Sequence, residues 1–337
     1  MAQGIHSILN ALLLAAISSS ILMWVYFLLN RNRSSKLKFD PRVELVARNR
    51  PFWSPADFLV MFGTFVLTSS LIGAWFISEG WLPSPSATIK TQTLPTETLP
   101  AQARPIEVSP TESIATSPDQ VADVNALYAQ VGLGVLSGTI ALLVALTFAL
   151  LTHRDRKSAL SELGFVGSRE TVRQGLWASL WLLPPVLLIS LLVSWMIPYE
   201  HPVLDTMKAM AANPSITGFA ALFIATALVT PLVEEFMFRV LLQGGLQGMI
   251  DRGGFNDEDI QDDTNWRATS WIPILVTSVL FAMMHLGQGG APIPLLFLSI
   301  GLGYLYRQTG SIVPPLIVHC ILNASTMLVE FSRLLAT

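Results

Sequence analysis

The chain runs repeatedly for about 18 or more residues with almost no charge, and that spacing decides the solvent in which it folds. Runs of this length suit helices that cross a hydrocarbon core about 30 Å thick, and they are about twice the length of a barrel strand. In lipid every backbone N–H and C=O must find its partner within the protein, so helices are the remaining solution. The composition agrees: 52% of residues are hydrophobic and 13% charged, where a soluble domain carries roughly a quarter charged. The reading is an all-α polytopic membrane bundle of about eight transmembrane helices, over residues 8–29, 58–77, 127–151, 175–196, 218–242, 271–287, 292–306 and 312–335. The bilayer is therefore the first partner. The net charge of -3, with basic residues beside apolar runs, gives no support to nucleic-acid binding.

Loop charge sets an expected orientation, because Lys and Arg stay on the cytoplasmic side during insertion. Residues 30–57 hold seven Lys or Arg and residues 153–174 hold five, whereas the loop 78–126 holds only Lys90 and Arg104. The first run is followed, not preceded, by basic residues, so it reads as a retained anchor with the N-terminus outside. An inner or plasma membrane location follows. Residues 82–125, rich in Pro, Thr, Ser and Ala, lack the apolar periodicity of a core and read as a disordered extracytoplasmic linker. They divide a two-helix anchor, residues 1–81, from a six-helix unit, residues 126–337.

Ionisable residues inside spans are expensive and therefore point to function. The fifth span carries Glu234, Glu235 and Arg239, the sixth His285, and the eighth His319 and Asn323. Glu235 and Arg239, four apart, share a helix face and can pair. Glu234 projects about 100° away, which leaves its carboxylate available as a general base toward water. His319 and Asn323 are also four apart, suited to orienting water or donating to an oxyanion. Phe281 lies one turn before His285 and forms an aromatic wall. Taken singly, these residues have plainer readings: a structural ion pair for the carboxylates, packing histidines, an interhelical Asn. The set of three helices favours hydrolysis. Proton-coupled transport and a scaffold built on the same buried groups are the alternative outside enzymology.

Two routes to hydrolysis are absent, since the chain has neither a His-Glu-x-x-His helix nor a Gly-x-Ser-x-Gly elbow. The single cysteine, Cys320, allows no disulfide framework and no Cys-based metal cluster. Zinc stays open, with Glu234, His285 and His319 as its three ligands; a metal-free site is favoured because Asn323 suits an oxyanion better than a metal. Gly244 and Gly248 read as close packing or a turn, and the acidic run 257–263 as a solvated loop.

In this order and on these segments, Glu-Glu-x-x-x-Arg (Glu234, Glu235, Arg239), Phe-x-x-x-His (Phe281, His285) and His-x-x-x-Asn (His319, Asn323) resemble the three motifs of the CAAX prenyl protease and bacteriocin-processing, or Abi, family. The resemblance covers roughly residues 160–335. It implies an intramembrane endopeptidase in which Glu234 activates water, with Glu235 and Arg239 supporting it or contacting substrate. His285 is then the second-motif histidine, and His319 and Asn323 stabilise the oxyanion. The implied substrate is a membrane-associated peptide or protein, prenylated in the family's eukaryotic members.

Overall fold

The computed structural model describes residues 2–30, 42–83, 124–152, 156–165, 167–197, 203, 206–208, 215–251 and 266–336. Among them every regular element is a helix, with one isolated bridge pairing Arg48 and Trp266. The elements are α1 (Ala2–Asn30), α2 (Pro55–Ser78), α3 (Val124–Thr152), the short α4 (Arg156–Glu162) and α5 (Arg169–Ser194). They continue as the composite α6 (Ile216–Ile250), α7 (Ile272–Met283), α8 (Pro292–Thr309) and α9 (Val313–Ala336).

Local chemistry sets several boundaries. Ser54 caps α2 with a reciprocal bond to Asp57, and Pro55 occupies the first position, where its missing N–H costs nothing. Ser168 and Thr171 form the equivalent box at α5. Gly310, at φ 66°, ends α8 in the left-handed conformation that glycine adopts without strain.

Among the described residues six helices are long and apolar enough to cross a membrane: α1, α2, α3, α5, α6 and α9. The sixth and seventh expected spans differ from these. Helix α7 has 12 residues, about 18 Å of helix, too short for a hydrocarbon core about 30 Å thick. It stops early because the following turn holds Gly287 at φ 95° and Gly289 at φ 59°, values that only glycine takes readily. Helix α8, with 18 residues, is central, burying Leu298, Leu302, Leu305 and Tyr306. The acidic run 257–263 lies outside the described residues, as does most of the Pro/Thr-rich segment, whose last two residues, 124 and 125, open α3.

The first two helices are built into the same bundle as the later ones. Helix α1 packs on α5 and α9, and α2 packs on α3 and on the second half of α6. Trp24 donates its Nε1–H to the Trp181 carbonyl at 2.9 Å, and His6 meets Ser332 at 3.0 Å. Between α1 and α2, residues 42–54 form a strap across the ends of α6 and α8. Val46 N–H donates to Gln308 O, the Arg48 guanidinium reaches Tyr306 O and Gln247 Oε1, and Arg50 donates to Gly248 O. Burial pushes the Arg48 guanidinium below its usual range, with Tyr306 and Asp251 opposing that push. The strap explains the Gly244 and Gly248 spacing, because Trp53 lies against Gly244 and Pro51 against Gly248.

Candidate active site

Helix α6 is not a regular α-helix where the chemistry lies. Two stretches, Ala225–Val229 and Phe236–Gly244, are π-helical and flank the α-helical Thr230–Glu235. Such insertions widen the helix and are frequent at functional sites. Pro231 supplies a local reason for the first. It has no N–H to give the preceding turn, and the Thr230 N–H bonds the Ala225 carbonyl, five residues back. The Thr226 carbonyl thereby loses both possible donors from its own helix. Asn323 replaces them, donating from Nδ2 at 3.0 Å. The second stretch is braced from the strap, where Trp53 Nε1–H donates to the Val240 carbonyl at 2.7 Å.

The two adjacent glutamates have different surroundings. Glu235 is fully buried and accepts from Arg239 Nε at 3.0 Å and from His319 Nδ1 at 2.9 Å. Arg239, also fully buried, donates a second bond from Nη2 to Ser299 at 2.8 Å and lies 5.5 Å from the Phe281 ring centre. The expected Glu235–Arg239 pair is thus present and is one part of a four-residue network. Glu234 stands apart from the arginine, its side chain 22% exposed and its Oε2 3.6 Å from His319 Nε2. That distance is an ion-pair contact, longer than a hydrogen bond. A carboxylate oxygen only accepts, so Nδ1 of His319 carries the proton shared with Glu235, and its Nε2 is the nitrogen on the Glu234 side.

Glu234, His285, His319 and Asn323 all line one cavity of about 330 Å³, together with Met61 and Phe65 of α2 and Gly134 and Gly138 of α3. The glycines leave the α3 wall low; the α2 side chains make it apolar. His285 reaches the cavity from the turn after α7, not from the helix itself. Its Nδ1 donates to the Phe281 carbonyl at 2.9 Å, and the Phe281 ring lies 5.0 Å from it, centre to centre. Phe281 is fully buried and contacts Arg239, His285 and His319 at once. A second hollow of about 520 Å³, lined by Asn49–Ser54 of the strap, holds none of these residues.

Among the described residues no three His, Cys, Asp or Glu side chains gather as a metal-binding group. In the Glu234, His285 and His319 trio, both histidines have Nδ1 engaged by protein acceptors, which leaves Nε2 of each. Cys320, half-buried, has its thiol pairing with no other cysteine. Reasoning from the sequence missed four participants: Ser299, Trp53, Gln243 and Gly303. Gln243 is fully buried and donates to the Gly303 carbonyl at 2.8 Å. Its position four residues after Arg239, extending the line Glu235, Arg239, Gln243, was the available signal.

These features define a multi-pass integral membrane protein with a carboxylate–imidazole site opening into an intramembrane cavity. Residues 216–325, which hold every motif residue, match the type II CAAX prenyl endopeptidase Rce1-like family. That stretch is therefore similar to a CAAX-protease domain, a likeness that supports a membrane endopeptidase kind of function. No curated protein and no solved structure matches it.

Proposed function

We propose that this protein hydrolyses a peptide bond of a membrane-associated peptide or protein, with water activated by Glu234 and without a metal. The observation that carries the reading is the division between the glutamates: Glu235 is sealed and committed to Arg239 and His319, while Glu234 is the carboxylate open to the cavity. Glu234 takes a proton from water as the oxygen attacks the carbonyl carbon. The resulting oxyanion is met by His319, which as an imidazolium donates from Nε2 while Nδ1 stays on Glu235, and by the second N–H of Asn323, the first being held by Thr226. Glu234 then returns the proton to the leaving nitrogen as the C–N bond breaks, giving a carboxyl end and an amine. Glu235, Arg239 and Phe281 hold His319 in place, and His285 borders the substrate.

A prenylated C-terminal tail is the substrate class carried by the matching family's name, and it is the first to try here. The loop charges favour an N-terminus outside an inner or plasma membrane. The test compares new peptide termini in membranes of cells expressing the wild type or Glu234→Gln at matched levels. Termini that need the wild type support the reading and name the substrate. Their absence, with both proteins folded, favours the transporter or scaffold use of the same buried groups.

A further inference from the structure

The two ends of the cavity are built differently. Toward the strap it is shut by aromatic rings. Phe238, 2% exposed, lies 5.7 Å from Phe58 of α2 and 5.2 Å from Phe281 of α7, centre to centre, which makes a bar of three rings from one helix to the other. Met61 and Met237 line the cavity beside this bar and are buried as well. Behind it, about 9 Å along α6 from Glu234, Trp53 is anchored on the Val240 carbonyl. The strap lies so close to α6 that a Cβ on Gly245 would fall 2.7 Å from the backbone of Ser54 and Pro55.

Away from the strap the lining changes in exposure and in polarity. Helix α3 runs back along α2, with Leu133 against Gly73, so its first turns lie at the end of the bundle opposite the strap. Its residues Gln130 and Gly134 line the cavity about 9 and 15 Å from that end of the helix. Both are exposed, and a Cβ on Gly134 would meet no atom within 4 Å. Thr226 and Thr230 of α6 and Asn323 of α9, all farther from the strap than Glu234 and His319, continue the polar lining from this rim to the reacting groups. Val203 covers the cavity beyond them, packed with Leu222 and Met327, so the open rim is the edge at α3.

Polar side chains within a bilayer face a water-filled cavity or one another, so the polar rim is the entrance and the aromatic bar the barrier. We infer that water and substrate reach Glu234 from the face of the bundle opposite the strap, past Gln130 and Gly134. The part that concerns substrate rests on the peptidase reading above; the route for water does not. The Lys and Arg around the strap favour the cytoplasm for its side. The substrate is then a peptide or membrane-protein segment presented from the extracytoplasmic side, and a tail held in the cytoplasmic leaflet meets the closed end.

The test reads accessibility in the full-length protein and needs no turnover. Every variant carries Cys320→Ala, which removes the chain's only cysteine. Single cysteines are then placed at the rim, Gly134→Cys, and deeper in the cavity, Thr230→Cys. Two exposed positions report the faces: Glu44→Cys in the strap and Glu79→Cys at the far end of α2. A small, membrane-impermeant cationic thiosulfonate is added to intact cells and to inverted membrane vesicles, and labelling is read by mass spectrometry. Gly134→Cys and Thr230→Cys should label in the preparation that labels Glu79→Cys and lose that labelling in the one that labels Glu44→Cys. Labelling of the cavity positions alongside Glu44→Cys, in both preparations or in neither, overturns the route. Thr230→Cys, nearly unchanged in size, keeps the test valid if a side chain at Gly134 disturbs the rim. Cut sites mapped by the terminus comparison should lie on the Glu79 side of the substrate's membrane segment, and cuts confined to the strap side overturn the substrate assignment. If the wild type cleaves nothing, the peptidase reading fails while the labelling still decides the route.

Discussion

Removing the carboxylate of Glu235 should be among the most destabilising single changes in the bundle. Arg239 is fully buried, and its partners are Glu235 Oε2 at 3.0 Å, Ser299 Oγ at 2.8 Å and the Phe281 ring at 5.5 Å. Glu235→Leu leaves a buried guanidinium with no counter-ion, a change that costs about 3–5 kcal/mol. It also takes the acceptor from His319 Nδ1. Glu235→Gln keeps one accepting oxygen but loses the charge and replaces the other acceptor with an NH2 donor, so the expected cost lies between about 1.5–3 kcal/mol, the range for a hydrogen bond to a charged group, and that of Glu235→Leu. The double variant Glu235→Leu, Arg239→Leu removes both charges, and replacing a whole buried pair with apolar residues is often neutral or better. What remains are the orphaned His319 Nδ1 and Ser299 hydroxyl, so the double variant should recover at least about 2 kcal/mol relative to Glu235→Leu. Reversible unfolding in mixed micelles, followed by the fluorescence of the nine tryptophans, reads all three. A double variant as unstable as Glu235→Leu alone would refute the account, since it would show that the unpaired arginine was not the source of the loss.

Two further outcomes test the site. Treatment with a strong chelator should leave turnover unchanged, because the proposed hydrolysis needs only Glu234 and water; loss of activity that added zinc restores would install the Glu234, His285 and His319 site instead. Asn323→Ala should cost about 1–3 kcal/mol by stripping the Thr226 carbonyl of its donor, and kcat of the folded protein should fall by roughly 10²–10³ if the second N–H meets the oxyanion. A stability loss with unchanged kcat confines Asn323 to the helix repair.

Helix positions and the motif residues were readable from the sequence because lipid imposes the strongest pattern a chain can carry, and because charges within that pattern stand out. The Glu235–Arg239 pair followed from a spacing of four. What was hidden depends on backbone departures from regular helix. Asn323 read as an oxyanion donor or an interhelical hydrogen bond, but its partner was hidden, since nothing in a list of residues shows that Pro231 and a π-helical turn strip the Thr226 carbonyl of its partners. His285 looked like a residue on a spanning helix, and the glycines at 287 and 289 place it in a turn. The strap was hidden for another reason: residues 42–54 are few and mix charged and apolar side chains without a helical period, and their role appears only when Trp53 meets the Val240 carbonyl and Arg50 the Gly248 carbonyl.

The same departures explain how two neighbouring glutamates come to serve different ends. On a helix adjacent side chains diverge by about 100°, so a segment with one residue facing a sealed interior and the next facing a cavity needs partners on only one of those sides. Here the sealed side is supplied from three helices: Arg239 from α6 itself, Ser299 from α8 and His319 from α9. Nothing comparable holds Glu234, whose nearest charged neighbour is His319 Nε2 at 3.6 Å. His319 therefore touches both carboxylates through its two ring nitrogens. Nε2 of His319 lies beside Glu234, while Nδ1 is held by the buried Glu235, which Arg239 also binds. Any step that protonates Glu234 weakens its hold on the Nε2 proton and frees that proton for a developing negative charge in the cavity. In the proposed hydrolysis this geometry would couple Glu234 to the oxyanion through a single imidazole, and the buried Glu235–Arg239 pair keeps that imidazole from turning away.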